Sequence, residues 1–120
     1  MSLYEEAPKP VTSIEESVVS KNDIFNEITY QFDVADSVVY LVGEIDGFTL
    51  LDMMTRIRII LRSRIDGDIQ PINMVINSEG GCVYEMLAIV DYMKSLPVPV
   101  NTICRGKAFS AAAVILASGT

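Results

Sequence analysis

The 120-residue chain contains no histidine and no tryptophan. Histidine is the one side chain whose ordinary pKa places its charge change near neutrality, so these residues offer no histidine general base and no histidine-ligated metal. Cysteine is scarce: Cys82 and Cys104 stand alone, without CxxC spacing. That pattern gives no support to a metal site, and the two read as reduced, partly buried thiols of a cytoplasmic protein. Basic residues are few, nine against sixteen acidic, for a net charge of −7. Such a surface repels phosphate backbones and anionic lipid, which excludes nucleic acid and membrane surfaces as expected partners. No apolar run approaches the roughly 18 residues that suggest a membrane span. Residues 1–20 carry Glu5, Glu6, Glu15 and Glu16 and no apolar core run, so they do not read as a signal peptide. Neither GxGxxG nor GxxxxGK[ST] occurs, so no nucleotide and no other cofactor is expected.

What is present is an apolar chain: half of its residues are hydrophobic, enough for the core of one domain. Residues 1–23 mix Pro8, Pro10, serines and glutamates without periodicity and read as a flexible or docking segment. Residues 24–120 read as an α/β domain. Ile24 to Phe32 fits either a short helix or a strand with Ile28, Tyr30 and Phe32 on one side. Val38 to Val42 is a continuous β-rich run, the pattern of a strand buried on both faces. From Thr49, Leu50, Met53, Met54, Ile57, Ile60 and Leu61 recur at spacings of three and four. They predict a helix ending near Ser63, with Thr49 and Asp52 resembling a capping box. Asp66-Gly67-Asp68 is a turn and Ile72 to Ile76 a second strand. Asn77 to Gly81 forms a loop into a second helix, whose inner stripe is Val83, Met86, Leu87, Val90 and Met93. Pro97 and Pro99 close that helix before a third strand, Val100 to Cys104. A last helix, Ser110 to Ala117, is apolar almost all round and is expected to be buried.

The order β-α-β-α-β-α predicts a parallel sheet, and ligands of such sheets gather at the carboxyl ends of the strands. Two unusual loops fall at that edge. Gly80-Gly81 opens a helix, and Gly81 can present a backbone N–H to a developing oxyanion, although two glycines also simply make a tight turn. Ser110 follows Gly106 and lies among Ala108, Ala111 and Ala112. A serine at the first turn of a helix ordinarily caps it; here its small neighbours and the helix N-terminus also suit a nucleophile. A serine hydroxyl needs a base, and Lys107 is the nearby candidate for a serine–lysine dyad.

Three segments carry a resemblance: Ile76-Asn77-Ser78-Glu79-Gly80-Gly81-Cys82-Val83-Tyr84, Ala88-Ile89-Val90-Asp91-Tyr92-Met93, and Thr102-Ile103-Cys104-Arg105-Gly106-Lys107-Ala108-Phe109-Ser110. In this order they resemble the Clp protease proteolytic subunit family, over roughly residues 38–120. The resemblance implies a ClpP/crotonase-like fold of repeated βαβ units, with a parallel sheet flanked by helices. It implies an ATP-dependent, cytoplasmic serine endopeptidase that cleaves unfolded polypeptides inside a ring chamber. Ser110 matches the nucleophile, Gly81 and Ala111 match the backbone oxyanion donors, and Gly80 to Val83 match the segment that pairs with an extended peptide. The implied partners are further copies of the chain, in heptameric and stacked rings, and an AAA+ unfoldase ATPase.

Departures stand beside the match. Glu79 replaces the usual proline, Lys107 and Phe109 replace the usual glutamine and small residue, and Ala112 stands where a glycine is common. The family's histidine and aspartate fall beyond Thr120, so the 120 residues alone are expected to be inactive. Two other functions remain open on these residues: a non-catalytic structural or regulatory ring subunit, and a crotonase-like enzyme acting on acyl-CoA.

Overall fold

The computed structural model describes residues 14–120. Residues 1–13 of the expected flexible segment lie outside the described residues, and residues 14–23 belong to a helix, α1 (Ile14–Asp36). The segment Ile24 to Phe32, open between helix and strand, is helical. The chain divides into two units after Gln31. In the first, α1 exposes Ile24 and Ile28.

The second unit begins with the last turn of α1. It continues through β1 (Val38–Ile45), α2 (Gly47–Ser63), β2 (Ile72–Gly81), α3 (Val83–Ser95), β3 (Val100–Ala108) and α4 (Ala111–Ala117). The three strands form a sheet in the order β1-β2-β3, parallel at both pairings, as the alternation of strands and helices predicts. On one sheet face Val39, Leu41, Ile45, Ile72, Met74 and Ile76 are wholly buried. They pack with Met53, Ile57 and Ile60 of α2, Ile89 of α3, and Ala112 and Ile115 of α4. Each such aliphatic side chain contributes about 1.5–3 kcal/mol by leaving water, so this single layer is the main source of the unit's stability.

The opposite face corrects the expectation for β1. Tyr40, Val42 and Ile103 are exposed, because all three helices that follow β1 cover the same side. The apolar run Val38 to Val42 is therefore half-buried, not buried on both faces. The helix stripes shift as well. In α3 the inward residues are Met86, Ile89 and Met93, while Val83 and Leu87 are more than half exposed. In α4 Ala111, Ala112 and Ile115 are buried, but Val114 is exposed. A one-sided helix layer leaves each helix an outer face, whatever its composition.

The cap of α2 lies one turn earlier than expected. Asp46 is the N-cap: the Thr49 N–H donates to Asp46 Oδ1 (2.9 Å), and the Asp46 N–H donates to Thr49 Oγ1 (3.3 Å). This is a capping box of Asp46 and Thr49, and the Thr49 hydroxyl also donates to the Glu44 carbonyl (2.8 Å). These bonds hold the acidic Asp46 carboxyl below the usual carboxylate range. The helix ends at Ser63, as predicted. Beyond it the nearly buried Arg64 side chain donates to the Gln70 and Pro71 carbonyls and to Ser37 Oγ (2.5, 3.3 and 2.9 Å). Arg64 thus clamps the turn before β2 onto the residue before β1. At the chain's end the Thr102 hydroxyl donates to the Leu116 carbonyl (2.7 Å) and the Thr120 N–H to the Val100 carbonyl (2.8 Å), tying α4 to β3. No helix among the described residues is long and apolar enough to cross a membrane.

Candidate active site

At the carboxyl edge of the sheet both strand pairings break register. Between β1 and β2, Gly43 alone faces Ser78 and Glu79. Its φ of +80° is left-handed backbone that favours glycine. Between β2 and β3, Asn77 alone faces Arg105, Gly106 and Lys107. The expected loop Asn77 to Gly81 is thus the irregular end of β2, and Arg105 to Lys107 bulge out of β3. Both bulges flank Ser78.

Among the described residues Ser78 is the polar residue of the core, with no exposed surface. The alternation Ile72, Met74, Ile76, Ser78 turns it inward. Its hydroxyl donates to the Gly43 carbonyl (2.5 Å) and accepts from the Gly80 N–H (3.1 Å). Its carbonyl accepts from the Phe109 N–H (3.0 Å). One residue therefore fixes the bulge of β1, the glycine turn after β2, and the approach to Ser110. Sequence reasoning passed over Ser78; its signal was its place in the inward register of a strand that ends in two glycines.

Gly80 has φ +101°, and a Cβ on it would lie 2.7 Å from the Phe109 carbonyl oxygen, 2.9 Å from Ser110 Cβ and 3.2 Å from the Ala111 nitrogen. The two loops singled out in the sequence thus touch, and the contact is close enough to require glycine. The Cα of Gly81 packs against β1: a Cβ there would strike the backbone of Ile45, whose carbonyl accepts from the Cys82 N–H (2.9 Å). The structure therefore gathers Gly80, Ser110 and Ala111 at one point, with Gly81 next in the chain.

Ser110 stands at the N-cap of α4 but does not cap it. Its hydroxyl makes no cap hydrogen bond, and its backbone lies at φ +54°, ψ −123°, not in the extended region usual for an N-cap. Positive φ in a non-glycine residue stores about 1–3 kcal/mol of strain that the surroundings must maintain. The backbone groups at its sides are anchored: the Phe109 N–H on Ser78, the Ser110 carbonyl accepting from the Ala113 N–H (3.0 Å). The side chain is exposed, and among the described residues its hydroxyl has no hydrogen-bond partner. Ala111 opens α4, where first-turn N–H groups lack intrahelical acceptors.

Lys107 does not reach this hydroxyl. Its ammonium pairs with Glu79, 4.0 Å away, with both side chains about half exposed. The geometry provides no serine–lysine dyad, and with no histidine in the sequence no described residue is placed to take the Ser110 proton. Cys82 and Cys104 are both exposed, not partly buried as expected.

Both the sequence and the fold are shared with known proteins. The sequence model of the Clp protease family matches residues 20–120. The chain is 39% identical over 98 residues to the ATP-dependent Clp protease proteolytic subunit 4 of Rhodococcus jostii, covering 82% of this chain and 46% of that protein. It is 36% identical over 85 residues to subunit 1 of Bifidobacterium longum, covering 71% and 35%. The crystal structure of the ClpP protease catalytic domain from Plasmodium falciparum superposes with a TM-score of 0.68 at 30% identity, covering 77% of this chain and 51% of that one. The chain spans less than half the length of these curated relatives. The family match takes in all three strands and both loops of the candidate site, and the chain belongs to the Clp protease family.

Proposed function

We propose that this chain carries the nucleophile and the oxyanion side of a Clp-type serine endopeptidase that acts on unfolded polypeptides. The observation that carries this reading is Ser110: strained, exposed, without a hydrogen-bond partner among the described residues, and in contact with Gly80. In the proposed reaction Ser110 Oγ attacks a peptide carbonyl carbon, and backbone N–H groups of Gly81 and Ala111 receive the negative charge that develops on the carbonyl oxygen. Donors already fixed in place cost no reorganisation at that moment, and the anchoring of Ser78, Gly80 and Phe109 supports such fixity. The segment Gly80 to Val83 pairs with the extended substrate. The Ser110 proton passes to a base supplied by residues outside this sequence, since hydroxyl activation requires one. The curated relatives are named ATP-dependent proteolytic subunits. On that analogy the chain works in the cytoplasm in self-associated rings, heptameric and stacked, fed by an AAA+ unfoldase.

A second reading, a non-catalytic ring subunit, is favoured by the exposed apolar sheet face at Tyr40, Val42 and Ile103. One experiment separates the two. The protein produced from its natural reading frame is incubated with a fluorophosphonate probe and a fluorogenic peptide, beside its Ser110→Ala variant. Labelling and turnover that both vanish in the variant establish the peptidase. An unlabelled Ser110 within an assembled ring establishes the structural subunit.

A further inference from the structure

Two of the positions where the sequence departs from the family pattern, Glu79 and Lys107, meet in space, 4.0 Å apart between Glu79 Oε2 and Lys107 Nζ. Their place explains why such a contact matters. Regular ladder bonds hold β3 to β2 as far as the pairing of Ile76 with Cys104 and resume at Ser78 with Ala108. Between these points Arg105, Gly106 and Lys107 have one residue of β2 opposite them and no regular register. This unladdered bulge is the segment that leads into Phe109 and the strained Ser110.

Side chains of β2 replace the missing ladder. Asn77 Oδ1 accepts from the Lys107 N–H at 3.4 Å. Gly106, with φ +97°, lies so close that a Cβ there would be 2.9 Å from the same Asn77 oxygen. Both contacts grip the backbone from beneath the bulge. A further attachment is the Glu79–Lys107 ion pair, and Glu79 is also the residue between the buried Ser78 and Gly80. The pair therefore spans the two loops whose contact defines the site, one end beside the glycine turn and the other three residues before Ser110.

We infer that Glu79 and Lys107 form an electrostatic brace across the β3 bulge that sets the separation of the Gly80 turn and Ser110, and that they act as positioning residues for the nucleophile. The functional part of this inference rests on the role proposed for Ser110; the brace itself does not. Because both side chains are half exposed, the brace weakens with salt: the Debye length falls to about 3 Å at 1 M ionic strength.

The test is hydrogen exchange of amides 105–111 in the purified chain at low and high salt. It compares the native sequence, Glu79→Gln, Lys107→Met, and the swapped pair Glu79→Lys with Lys107→Glu. At low salt each single variant is expected to exchange about 2- to 5-fold faster over 105–111, the size of an exposed ion pair. Exchange in β1 and α2 should stay unchanged, which shows that the variants fold. The swap is expected to restore protection, and 1 M salt to erase the differences. A purely structural role of either side chain would show neither charge-swap rescue nor salt dependence. Unchanged exchange in the single variants, or a swap that fails to rescue, overturns the brace. In the peptidase-competent protein, fluorophosphonate labelling of Ser110 should follow the same order. If exchange behaves as expected while labelling persists in Ser110→Ala, the brace stands and the proposed function falls.

Discussion

Gly80 and Ser110, thirty residues apart in sequence, are in van der Waals contact, with room between them for a hydrogen and not for a methyl group. Gly80→Ala therefore introduces a clash and a side chain at φ +101° together. The expected cost is about 2–5 kcal/mol from strain and overpacking. Equilibrium urea unfolding reads it as a lower midpoint at unchanged slope. A midpoint within error of the native chain's would show that the two loops do not touch.

The backbone of Ser110 yields a prediction of the opposite sign. At φ +54°, ψ −123° glycine is unstrained where serine is not. Ser110→Gly is expected to raise stability by about 1 kcal/mol while removing the hydroxyl, and Ser110→Ala, which keeps a Cβ, should leave stability nearly unchanged. If Ser110→Gly destabilises the fold, the torsion is not strained.

Ser78 supports three backbone positions from within the core. Ser78→Ala leaves the Gly43 carbonyl and the Gly80 N–H without the hydroxyl that serves both. The expected loss is about 1–3 kcal/mol, the cost of unsatisfied buried polar groups. Hydrogen exchange of the Gly80 amide should rise more than the global change accounts for. A uniform rise across the sheet would argue against a local role.

The 120 residues by themselves should hydrolyse a fluorogenic short peptide no faster than the buffer does. They contain no histidine, and the one lysine near Ser110 in sequence is paired with Glu79. Robust turnover that disappears in Ser110→Ala would falsify this and would point to a base within the described residues.

Asp46 gives the pH dependence. The Thr49 backbone and side-chain bonds lower its pKa in the folded chain, so the folded state favours the carboxylate more than the unfolded state does. Its stabilising contribution is present in full above the ordinary carboxylate range, and it is lost as pH falls through the lowered native value. Asp46→Ala should melt below the native chain at pH 7, and the difference should narrow steadily on acidification below that range. A difference independent of pH would mean that the cap acts without its charge.

The strands were legible because Val38 to Val42 and Ile72 to Ile76 are β-rich runs set between helical periodicities, which admits a parallel sheet and little else. The number of layers was not legible. A run such as Val-Val-Tyr-Leu-Val is the same whether one face or both are covered, and only the common side taken by α2, α3 and α4 decided it. Nor was the rotation of α3. Val83 and Leu87 at a spacing of four imitate a buried stripe beside Met86, Ile89 and Met93, since an apolar helix carries two overlapping stripes. At the site, glycines and a serine in a particular order pointed to Gly80 and Ser110. Ser78 was marked only by its inward place in the alternation of β2, and the Glu79–Lys107 contact depends on register breaks that no local pattern announces.

Among the described residues no hydrogen bond holds the Ser110 hydroxyl, and the main-chain torsion sets the place of its Cβ. The hydroxyl can therefore turn about its side-chain bond without breaking a contact inside the fold. Removing it leaves the hydrogen bonds of Phe109 and Ala113 on either side intact, which makes Ser110 a position where the side chain can be altered without altering the frame around it.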